Sequence, residues 1–145
     1  MKTMIAAALL ATLGAGAVFA QADVIKARQE AMKAAGQATA PVGKMLKGEE
    51  AFDLAKVQAA LSVYQDTAAK APALFPDNSK TGGDTAALPA VWEKKADFDA
   101  KFAAWGAESK AAAAAIKDEA SFKATFPNVL KNCGGCHETF RAKKS

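Results

Sequence analysis

Reactive side chains are scarce in this 145-residue chain, which has two cysteines, Cys133 and Cys136, and a single histidine, His137. Two thiols and one imidazole fall short of the four ligands that a structural zinc site takes. With no second histidine, no imidazole is left over for acid–base work away from that cluster. β-Branched residues are few beside Ala, Lys and Glu, and no stretch carries a strand signal; such a composition favours helix nearly everywhere. No block of like charge resembles a nucleic-acid-binding arm, and the formal net charge is only +4. Past residue 20, no apolar run approaches the ~20 residues that a membrane span needs. Repeats of solenoid length and low-complexity tails are missing too.

The chain opens with an export signal. Lys2 supplies a positive start, "MIAAALLATLGAGAVF" is uncharged and apolar, and Val18-Phe19-Ala20 offers small or modest residues for a signal peptidase. The pattern predicts a secretory signal peptide over 1–20, cleaved after Ala20, rather than an anchor that stays. It also predicts an exported protein, periplasmic in a Gram-negative bacterium. Loss of Lys2, the one charged residue of the leader, takes the formal charge from +4 to +3. Residues 21–145 then form a single domain.

Breakers divide the mature chain into four helical segments. The first runs from about Ala22 to Ala40 and stops at Pro41; the second runs from near Gly48-Glu49 to about Lys70. The connection "APALFPDNSKTGGDTAALP" is dense in turn formers. A third helix is expected from near Pro89 to about Lys117. The fourth, capped by Asp118 or Ser121, is expected to reach the C-terminus with an irregularity at Pro127. Steps of three and four link Leu54, Val57, Leu61, Tyr64 and Ala68. They link Val91, Phe98, Phe102, Trp105, Ala112 and Ile116, with Lys95 and Ser109 as polar members, and also Phe122, Phe126, Val129, Cys133, Cys136 and Phe140. A period near 3.5 keeps one seam against the neighbours, so the predicted fold is all-α, an antiparallel four-helix bundle. The register of the first helix, Ile25, Arg28, Met32, Ala35 and Thr39, puts an arginine on the inward face. Arg28 therefore needs an anionic partner, or it snorkels to solvent.

Cys133-Gly134-Gly135-Cys136-His137 has the C-x-x-C-H spacing of c-type haem attachment. On a helix, residues three apart lie one turn apart on about the same face, so two thiols can bond the two vinyl groups along one haem edge. His137 lies on the same side, where its imidazole can bind the iron. A thioredoxin-type dithiol expects the N-terminus of a helix in a βαβ context, and this motif lies near the end of a helical chain. A plain disulfide leaves the adjacent histidine unexplained.

A helical bundle ending in C-x-x-C-H resembles the class II cytochromes c, the cytochrome c′ and cytochrome c-556 family. "RQEAMK" resembles the family's first helix, "LFP" the segment after its second, "AVWEKKADF" its third, and "CGGCHETFR" its haem-binding end. The Gly-Gly spacer departs from the commoner Lys-containing one, at positions that form no bond. The resemblance implies one covalently attached haem c with its iron, thioethers at Cys133 and Cys136, and His137 as proximal ligand. It implies that Arg28 lies near the haem propionates, that Arg141 borders the proximal face, and that Met32 faces the other side of the iron. In the c-556 branch such a methionine is the sixth ligand and the protein carries electrons. In cytochrome c′ the side chain only covers an open site able to take nitric oxide or carbon monoxide. The loop "LFPDNSKTGGDTAALPAVW" is closer to the c-556 type and favours Met32 ligation; Met45, expected beyond the first helix, is a poor rival. The expected partners are unidentified redox proteins, steered by Lys131, Arg141, Lys143 and Lys144 around the haem edge, or else small gases. No enzymatic role is expected, since no distal histidine exists. The alanine-rich faces allow a monomer or a homodimer.

Overall fold

The computed structural model describes residues 13–143, with side chains from Gln21 onward; residues 1–12 of the predicted leader, and Lys144, lie outside the described residues. Five helices follow in order: α1 (Leu13–Leu46), α2 (Leu54–Lys70), α3 (Ala90–Glu93), α4 (Lys95–Ala115) and α5 (Glu119–Phe140). The four long ones, α1, α2, α4 and α5, form the antiparallel bundle, and α3 is a single turn that leads into α4. Among the described residues there is no strand, only an isolated antiparallel bridge between Ala87 and Arg141.

The heptad pattern becomes the core. Val91, Phe98, Phe102, Trp105, Ser109, Ala112 and Ile116 are all buried, as are Val57, Leu61, Tyr64 and Ala68 of α2. Burying each large apolar side chain contributes roughly 1.5–3 kcal/mol. Lys95 is the member that reaches outward, half-buried and paired with Asp99. α2 and α4 approach closely at Gly106, where a Cβ would stand 3.2 Å from that of Ala68.

Several boundaries differ from the sequence expectation. α1 does not stop at Pro41 but continues through it to Leu46. Proline forfeits one helical N–H, yet Val42 and Met45 just beyond it are 0% and 2% exposed, and their burial holds the last turn. Met45 is therefore a core residue of α1. α2 starts later than Gly48-Glu49: Gly48 turns the chain at φ +74°, and the Asp53 side chain caps the helix by accepting from Lys56 N at 3.1 Å. The third segment breaks at Lys94 (φ −121°, ψ 46°) into α3 and α4.

Both candidate caps of the last helix act together. Asp118 is the N-cap, and Ser121 completes a reciprocal capping box. Hydrogen bonds from Ser121 hold the Asp118 carboxyl below its usual range. α5 runs unbroken through Pro127, and it ends at Phe140 instead of reaching the C-terminus. There Arg141 turns extended, Leu88 N donates to Phe140 O at 3.0 Å, and Ala142 N donates to Ala86 O at 2.8 Å. These bonds tie the end of the motif-bearing helix to the α2–α3 connection.

Candidate functional site

A cavity of about 830 Å³ opens between the four long helices, within the range of roughly 300–1,000 Å³ that small-molecule and cofactor sites occupy. All six residues singled out in the sequence line it: Arg28 and Met32 from α1, and Cys133, Cys136, His137 and Arg141 from the end of α5. The helical periods explain the convergence. Arg28 and Met32 are one turn apart on α1, and the α5 seam that buries Phe122, Phe126 and Val129 delivers both cysteines to the cavity wall.

Cys133 and Cys136 are half-buried free thiols. Burial pushes the Cys133 thiol above its usual range; it raises Cys136 too, with Lys101 opposing and Cys133 adding to the rise. A disulfide-exchange centre needs the opposite shift, so the thiols are unlike a redox dithiol. The His137 imidazole is lowered, first by burial and then by the charge of Arg141. It is held neutral, the form in which a ring nitrogen can bind a metal.

Arg28 neither snorkels nor finds a carboxylate. It is 4% exposed, and its guanidinium donates to Ser79 Oγ at 2.9 Å, Ser79 O at 3.1 Å, Leu74 O at 3.3 Å and the Thr85 hydroxyl. It lies over the Phe75 ring at 4.7 Å and the Trp92 ring at 5.8 Å. All these partners are neutral, so the cation keeps its full charge at the cavity wall, and burial lowers its pKa.

The cavity is polarised end to end. Phe75, Phe98 and Phe140 gather near Arg28, with ring centroids 4.7 Å (Phe75–Phe98) and 5.2 Å (Phe98–Phe140) apart. Seven residues further along α4, about 10 Å at 1.5 Å per residue, Trp105 meets Tyr64 with centroids 5.2 Å apart. Cys133 precedes Phe140 on α5 by the same interval, so it lies toward the Tyr64 end, Cys136 about midway, and the cation at the other end. Tyr64 is fully buried, and its hydroxyl stands 2.6 Å from Thr39 Oγ1. The Thr39 hydroxyl also reaches Ala35 O at 2.8 Å, so the neutral Tyr64 phenol donates to it, whereas an ionised phenolate would accept from the Thr39 hydroxyl instead. Burial pushes the Tyr64 phenol up to about 12.

These residues fit a covalently held haem. Two thiols one turn apart and an adjacent neutral imidazole stand on one wall, aromatic rings form others, and a buried cation waits at the far end. Sequence reasoning took Tyr64, Phe98, Phe102 and Trp105 only as core; they are also cavity wall. Lys33 and Lys101, exposed residues that line the cavity, were not anticipated. Their only signal was position, one residue after Met32 and one before Phe102.

Comparison with known proteins agrees with the geometry. The profile of the family described as Cytochrome C' matches residues 23–141. A cytochrome c' of Rhodopseudomonas palustris is 55% identical over the full length of both chains, and a cytochrome c-556 of Agrobacterium fabrum is 39% identical over 99% of this chain and 97% of its own. The solved structure of cytochrome c' from Rhodopseudomonas palustris superposes with a TM-score of 0.83 at 56% identity, covering 85% of this chain and 98% of that one. On this evidence of sequence, fold and site together, the chain belongs to the class II cytochromes c, the cytochrome c′ family, and carries a covalently attached haem c with its iron.

Proposed function

We propose that this protein is an exported, periplasmic electron carrier whose haem is bonded to Cys133 and Cys136 and ligated by His137 and Met32. The observation that carries the reading is the shared wall. His137 on α5 and Met32 on α1 line the same cavity, and Met32 is the one methionine on that wall among the described residues; Met45 is in the core away from it. Export is supported by the family match, which begins at residue 23, just past the predicted cleavage after Ala20. No helix among the described residues is long and apolar enough to cross a membrane.

When bound, the haem supplies reversible one-electron exchange between ferrous and ferric iron. The chain's own residues do the rest. Cys133 and Cys136 fix the position of the group along α5, so it cannot dissociate between redox partners. His137, neutral and flanked by Arg141, presents its imidazole to the metal. Met32 together with His137 as ligands would raise the potential relative to weaker ligation. Arg28, fully charged among neutral partners, offers the propionates a buried cation and opposes gain of positive charge at the iron. The aromatic walls keep water out and lower the local dielectric. Of the exposed Lys131, Arg141 and Lys143, Arg141 alone lines the cavity; the three together offer a basic rim to an acidic redox partner. With no second histidine in the chain, the cavity has no imidazole to act as a distal acid or base, which supports a carrier and not a catalyst.

A second reading is favoured by the 55% identity to a protein named cytochrome c', above the 39% to one named cytochrome c-556. In it Met32 covers an open iron site that takes nitric oxide or carbon monoxide. Met32→Ala separates the two. Loss of a ligand, seen as a change of the ferric protein from low to high spin, supports ligation by Met32; an unchanged spin state with faster gas binding supports the lid.

A further inference from the structure

Alanine dominates the middle of α1, yet position 36 is glycine. Glycine is the poorest helix former short of proline, because it loses the most backbone freedom on folding. A helix normally keeps one for a left-handed backbone or for a neighbour that leaves no room. Neither reason applies here. Gly36 is not among the glycines with positive φ, and a Cβ built on it would meet no atom within 4 Å. Gly106 shows the contrasting case, with Ala68 in the way at 3.2 Å. Gly36 is both exposed and part of the cavity wall, so it stands where the cavity meets solvent. It follows Met32 by one helical turn. On the same edge of α1 the long side chains of Gln29 and Lys33 line the rim, and at Gly36 that rim has a gap.

We propose that Gly36 is a size-determining residue: by leaving out a side chain at the rim one turn from Met32, it keeps open the path by which a small uncharged ligand such as carbon monoxide reaches the Met32 side of the haem. The inference rests on Met32 facing the iron from the side opposite His137. A side chain at position 36 projects into the gap and narrows it, valine more than alanine. Gly43 is an internal control. It lies on the same helix with equally open surroundings, but it is not on the cavity wall.

The test measures carbon monoxide association after flash photolysis of the reduced, haem-loaded protein in a Met32→Ala background, where the coordination position is open under either functional reading. Gly36→Val is expected to slow association by roughly fivefold or more, a rise of about 1 kcal/mol in the entry barrier. Gly36→Ala should slow it less, and Gly43→Ala should match the parent. An association rate in Gly36→Val equal to the parent's overturns the proposal. Should Gly36→Val fail to fold or to hold haem, Gly36→Ala carries the test, since alanine is the better helix former: a slower rate together with a raised unfolding midpoint supports the port, and an unchanged rate refutes it. Spectra of the proteins with and without Met32 report the sixth ligand independently, so failure of Met32 ligation cannot be mistaken for failure of the port.

Discussion

The chain's single tyrosine, Tyr64, makes alkaline pH a site-specific perturbation of the bundle interior. An unfolded tyrosine ionises near 10, whereas in the folded chain burial pushes the phenol up to about 12; the Thr39 hydrogen bond opposes that rise and Cys133 adds slightly to it. Below pH ~10 both states keep the proton, and the stability is fully present. Above it, the unfolded chain releases a proton that the folded chain retains, so stability falls as pH rises toward the folded value. The loss from this group alone is roughly 1 kcal/mol by pH 11 and roughly 2 kcal/mol by pH 12, at 1.36 kcal/mol per unit. As the proposed thioether, Cys133 would cease to contribute, and burial would remain the leading cause. The assay is guanidinium unfolding at pH values from about 9 to 12, for wild type and Tyr64→Phe. The substitution itself lowers the whole curve by about 1 kcal/mol for the lost hydrogen bond, and it removes the extra alkaline decline. Parallel curves for the two proteins would show that Tyr64 ionises as freely folded as unfolded, and would refute the burial argument.

Two further outcomes are expected. Arg28→Leu strips charged donors from the Leu74, Ser79 and Thr85 oxygens and removes the cation over Phe75, which should lower stability by about 3 kcal/mol; equilibrium unfolding checks it, and a loss under about 1 kcal/mol would mean that the loop holds itself. Electron exchange with an acidic partner should slow as salt rises, because the exposed Lys131, Arg141 and Lys143 are screened within about 10 Å at 0.1 M; stopped-flow rates independent of salt would remove steering by that rim.

The bundle was legible because its seams are nearly unbroken. From Val91 to Ile116 every apolar heptad member is buried, and so is the polar Ser109; Lys95 alone escapes along its stem. The cysteine motif was legible because its spacing restates helix geometry. Local rules failed where tertiary packing outweighed them. Pro41 carries a strong stop signal, but nothing in the local sequence says that Val42 and Met45 will be buried beyond it. The register of Arg28 calls for an anion or solvent, since a sequence does not reveal that a loop some fifty residues away will bring Ser79, Thr85 and two aromatic faces to it. The same limit explains Tyr64 and Trp105. Heptad position predicts that a side chain turns inward, but it does not distinguish a packed core from the wall of a cavity within it. Gly36 left no trace because a missing side chain acquires meaning only from the space around it.

The most direct test of the proposed ligation is the optical spectrum of the purified, haem-loaded protein, oxidised and then reduced with dithionite, with and without carbon monoxide. Sharp, split reduced bands that ignore the gas are the expected result, with Met32 bound to the iron. A broad high-spin spectrum that shifts with carbon monoxide would contradict Met32 ligation and leave that side chain as a lid over an open site.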